Sequence, residues 1–115
     1  PYIDALNIDL KGWQPAFYEW LGGGLATVQA AIVQAAAACH VEVTTLIVPG
    51  KNDRAADMAA EAAWLAEISP ELPLHISRFF PRCQMKAAAP TPVVTIQELC
   101  KVAGKYLKYV YAGNC

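Results

Sequence analysis

The sequence predicts an α/β fold with about four parallel strands and helices on one face, as in a partial (β/α) barrel. Three observations carry this. Short strand-like runs recur about every 35 residues, with helical patterns between them. Each of the first three predicted strands is apolar on one side and polar on the other. The composition is 56% hydrophobic and only 17% charged, as expected of a chain that buries a sheet.

The elements follow in order. A first strand is predicted over residues 3–11, where Leu6, Ile8 and Leu10 alternate with Asn7, Asp9 and Lys11. Leu25, Val28, Ile32, Val33 and Ala36 then recur at helical spacing. A second strand over residues 41–48 alternates Val41, Val43, Thr45 and Ile47 with Glu42, Thr44 and Leu46. It ends in the turn Pro49-Gly50, after which Asn52 or Asp53 is expected to cap a helix. That helix carries the stripe Ala55, Met58, Ala62, Leu65 and Ile68 and stops before Ser69-Pro70. A third strand over residues 74–79 sets Leu74 and Ile76 against His75 and Ser77. Thr95 and Glu98 read as a capping box, and Leu99, Val102, Ala103 and Tyr106 as the stripe of the helix it starts. A fourth strand is expected over residues 107–111.

Strand–helix alternation at this period requires parallel strands joined by right-handed crossovers. An open doubly wound sheet and an arc of a barrel both satisfy it. Parallel strands covered on both faces normally read as unbroken hydrophobic runs. Here one face carries Asn, Asp, Lys, Glu, Thr, His and Ser, so helices are expected on the other face alone. The polar face is either the lining of a barrel cavity or the wet side of an open arc.

The candidate functional residues lie on that polar face. Asn7, Asp9 and Lys11 point the same way, and an acid and a base two residues apart can hold a polar ligand. A self-satisfied ion pair at a strand end is the structural alternative. Glu42 and Thr44 extend the wall on the second strand, and His75 and Ser77 on the third. Arg78 and Arg82 flank Phe79-Phe80-Pro81 at the end of the third strand, where an arginine either grips a carboxylate or forms a surface ion pair. Gly22-Gly23-Gly24 lacks the spacing of known phosphate-binding loops and reads as a flexible helix entry.

Other functions are disfavoured. The formal net charge is −1, with no basic stripe to hold nucleic acid. The longest apolar stretch, residues 25–39, is interrupted by Gln29 and Gln34 and is shorter than the roughly 18 residues a membrane helix needs. Cys39, Cys83, Cys100 and Cys115 show no metal-ligand spacing, which fits free thiols in a cytoplasmic protein. Strand-like sequence at both ends reads as a chain cut from something larger.

Several segments together resemble one family. Asp4-Ala5-Leu6-Asn7-Ile8-Asp9-Leu10-Lys11-Gly12 is similar to a strand of pyruvate formate-lyase-activating-type radical S-adenosylmethionine (SAM) enzymes. It is more similar still to the radical SAM member of the AmmeMemoRadiSam system. Residues 41–50 with Asn52-Asp53, residues 73–81, Pro90-Thr91-Pro92 and residues 109–114 follow in that family's order, so nearly the whole chain is covered. The resemblance implies the C-terminal portion of a barrel that holds a [4Fe–4S] cluster and SAM. In that family SAM is cleaved reductively to a 5′-deoxyadenosyl radical. Asp9 and Lys11 would lie against SAM. Thr44 falls where the activating enzymes carry a basic residue, and Ser77 and Arg78 would complete the wall near the adenosyl group. The cluster motif C-x-x-x-C-x-x-C is absent from residues 1–115, and the family carries it upstream, so this chain is expected to be inactive alone. A protein substrate or a partner chain would accompany SAM. The alternative is a non-catalytic α/β piece that assembles with a partner, or a small cofactor-free binding domain.

Overall fold

A computed structural model describes residues 5–10, 24–50, 52–78 and 91–113. Seven elements alternate: β1 (Ala5–Asp9), α1 (Leu25–Ala38), β2 (His40–Ile47), α2 (Ala55–Ile68), β3 (Leu74–Arg78), α3 (Val93–Ala103) and β4 (Val110–Gly113). The four strands form one parallel sheet in the order β1-β2-β3-β4. Space therefore repeats chain order. A doubly wound sheet would reverse direction at a switch point; this sheet does not. Crossovers of one hand, all stepping the same way, put every helix on the same face.

Packing follows this directly. Ile32 of α1, Met58, Ala62 and Leu65 of α2, and Ile96, Leu99 and Ala103 of α3 share one core with Leu10, Val41, Val43, Ile47, Leu74 and Ile76 of the sheet side. The sheet residues in this core are those that the alternation assigned to the apolar face. The opposite face carries no helix among the described residues. There Asn7, Asp9, His40, Leu46 and Tyr111 are exposed, and Glu42, Thr44, His75 and Ser77 are half-buried.

Three expectations are corrected. The turn after β2 holds Gly50 at φ 77°, which favours glycine, but neither Asn52 nor Asp53 caps α2. Arg54 occupies the cap position, without a side-chain hydrogen bond. Asn52 is turned inward instead: its Nδ2 donates to the Leu46 carbonyl at 2.8 Å, and its Oδ1 accepts from the Val48 amide at 2.7 Å. Asp53 accepts from the Gly50 amide at 3.1 Å. The capping box on α3 is also absent, because the helix begins at Val93 with Pro92 as its cap and Thr95 already inside its first turn. The early start is held from outside: the Thr91 hydroxyl donates to the Ile47 carbonyl, and the Arg78 Nε donates to the Thr91 carbonyl. Finally, β4 begins at Val110 rather than 107. Leu107 is buried, but its amide bonds back to the Ala103 carbonyl, so it closes the end of α3 instead of opening a strand.

Candidate functional site

The register fixes which polar residues become neighbours. Asn7 pairs with Glu42 and Asp9 with Thr44; Thr44 pairs with His75, and His75 with Tyr111. Asp9, Thr44, His75 and Tyr111 therefore form a row across all four strands on the open face. Toward the carboxyl ends, Leu46, Ser77 and Gly113 make a second row. Strand sequence supplied the face of each residue; only the register supplied the rows.

Two hydrogen-bonded groups occupy this face. In the first, the Thr44 hydroxyl donates to Asn7 Oδ1 at 2.9 Å and ties β1 to β2. In the second, Glu42 receives two imidazoles: His75 Nε2 at 2.6 Å on Oε1 and His40 Nε2 at 3.1 Å on Oε2. An ionised carboxylate can only accept, so each ring presents Nε2–H to it. These bonds, from His75 first and His40 second, hold the Glu42 carboxyl below its usual range. His75 also stacks on Tyr111, with ring centroids 5.2 Å apart and planes 27° from parallel.

The expected site residues divide. Asp9, Thr44 and Ser77 lie on the open face. Ser77 faces Gly113, where an added Cβ would stand 2.9 Å from its hydroxyl oxygen, so the glycine leaves that hydroxyl its space. Arg78 does not join them. It pairs in register with Ile47, on the helix side, and its guanidinium serves Thr91. Lys11 lies outside the described residues, as do Arg82, Gly22 and Gly23. Glu42 and His75 were in the polar wall by alternation, but their contact spans 33 residues and needed the register.

One acidic residue was missed. Glu61 of α2 is only 2% exposed and accepts from the Thr45 hydroxyl at 2.7 Å. Burial pushes its carboxyl up to about 8, with Asp57 one turn away adding to the effect. Its signal in the sequence was an acid inside the apolar face formed by Met58, Ala62 and Leu65.

No protein-family profile matches the chain. It is similar to the uncharacterized protein MJ0808 of Methanocaldococcus jannaschii, with 37% identity over 97% of this chain. The match takes in 34% of that protein, so the chain spans about a third of the length of the curated relative it matches.

No three His, Cys, Asp or Glu side chains among the described residues come together to bind a metal ion. Cys39 carries a free thiol. No helix among the described residues is long and apolar enough to cross a membrane.

Proposed function

We propose that this chain is the C-terminal part of a radical SAM barrel of the activating-enzyme type, and that its open face supplies part of the SAM-binding wall. The observation that carries the reading is the polar row on the face of a singly wound parallel sheet that, among the described residues, carries no helix. In a closed barrel that face becomes the cavity lining, and ligands bind toward the carboxyl ends of the strands.

The residues fit SAM. A carboxylate at Asp9 suits an ammonium or sulfonium, and Thr44 and Ser77 offer hydroxyls to the carboxylate and ribose. Lys11, two residues beyond Asp9, would face the SAM carboxylate. The described residues do not fit the iron–sulfur cluster, whose thiolate ligands would come from elsewhere in a longer cytoplasmic protein. When bound, SAM would supply the 5′-deoxyadenosyl radical; this chain's part is to bind and orient it. Arg78, engaged with Thr91, supports the wall from behind rather than touching the ligand.

The test uses MJ0808, reconstituted anaerobically with iron and sulfide and given SAM and dithionite. We expect 5′-deoxyadenosine to form. Replacing the residue of MJ0808 that aligns with Asp9 by Ala should lower its formation by about 100-fold, the loss expected for a positioning contact at the reacting ligand. Turnover unchanged by that substitution, or a reconstituted protein that neither binds a cluster nor cleaves SAM, would sink the assignment.

A further inference from the structure

The group around Glu42 has the arrangement of an oriented base. A carboxylate fixes the His75 ring through Nε2 at 2.6 Å, and Tyr111 supports one side of the ring. Among the described residues nothing bonds to His75 Nδ1, and the side chain is 33% exposed on the helix-free face. With Nε2–H committed to Glu42, the neutral ring keeps its lone pair on Nδ1. Tyr111 is 48% exposed beside it and offers a flat surface to a ligand.

We propose that His75 is a proton acceptor on the open face, oriented by Glu42, for a small polar molecule that presents an acidic O–H or N–H next to Tyr111. In the step, the ligand's X–H bond breaks and its electron pair stays on X. An N–H bond forms at Nδ1, and the imidazolium charge is faced by the Glu42 carboxylate. No oxidant or further reactant is needed. The same pair returns the proton in the reverse direction. His40 shares the carboxylate at a longer distance and is 54% exposed, which makes it the outer of the two rings.

The inference does not depend on SAM and is tested without it. p-Nitrophenyl acetate is the probe, used with the 115-residue chain. Nδ1 takes a proton from the water that attacks the ester carbonyl, and p-nitrophenolate leaves with the bonding pair as acetate forms. Glu42 keeps Nε2–H and faces the imidazolium charge until Nδ1 releases the proton to solvent. We expect His75→Gln to lower the p-nitrophenolate release rate by about ten-fold, a small share of what a placed acid–base group can give. His75→Phe keeps a ring against Tyr111 and should lose as much, which separates lost chemistry from lost packing. Glu42→Gln should fall similarly, and Glu42→Asp should recover part of the rate. Circular dichroism verifies the fold of each variant. A His75→Phe rate equal to that of the wild type would overturn the proposal. So would a Glu42→Gln rate equal to that of the wild type, or a loss in His40→Gln matching that in His75→Gln.

Discussion

Glu61 is a buried acid, and its placement costs free energy. Its carboxyl is buried between α2 and the sheet, where the charged form loses its hydration, and its hydrogen bond from Thr45 offsets only part of that loss. The sign of the pH dependence follows. Its folded value, about 8, lies above the ordinary 4.5. Between these values the unfolded chain has released the proton and the folded chain has kept it. Stability therefore falls as pH rises from about 4.5 to about 8, at up to about 1.4 kcal/mol per pH unit, and levels off above. Glu61→Gln removes this titration while keeping an acceptor for Thr45. Denaturant unfolding at several pH values should show a flatter profile for the variant. At pH 9 it should be more stable than the wild type by on the order of 2 kcal/mol. Parallel profiles for the two proteins would count against a neutral buried acid.

Among the elements, α3 has its start held by the sheet. Like α1 and α2 it has no side-chain cap bond, and the residue before its cap, Thr91, is fastened to β2 and to Arg78 of β3. Thr91→Val keeps the shape but leaves the Ile47 carbonyl without that donor. The expected cost is about 1–2 kcal/mol in denaturant unfolding, with faster amide exchange at Thr95 and Ile96. The same tether explains why some boundaries were legible in the sequence and others were not. Alternation in Ile8-Leu10, Val41-Val43 and Leu74-Ile76 reports the covered face, because a period of two is fixed by the backbone; Leu6 shares that face but is 36% exposed. The faces of β1, β2 and β3 were accordingly readable. Thr95 and Glu98 have the local chemistry of a helix start, but the actual start is set by a bond from Thr91 to a residue 44 positions earlier. Leu107 is apolar and buried, yet burial alone does not distinguish a strand from the closing turn of a helix. Asp9, Thr44 and Ser77 could be put on one face from sequence. The union of Glu42 with His75, and the diversion of Arg78, depend on register and on contacts remote along the chain.

At the scale of the whole molecule, the sheet is unequal from centre to edge. β2 and β3 have neighbours on both sides, whereas among the described residues β1 and β4 each have one. Native-state hydrogen exchange should therefore be slowest at Val43, Thr45 and Ile76 and fastest in β1 and β4, by about two orders of magnitude or more. Equal protection across the four strands would mean that β1 and β4 are covered by further contacts, as expected if two copies of the chain associate.

Because spatial order repeats chain order, each strand–helix unit docks on the one made just before it and waits for nothing made later. Such a sheet can be assembled in the direction of synthesis, with a new edge available to every arriving strand. Its contacts are short-ranged along the chain compared with those of a sheet whose central strand comes last. The same property makes the architecture divisible from one side: removing the last unit takes away an edge and leaves every remaining strand with the neighbour it formed on.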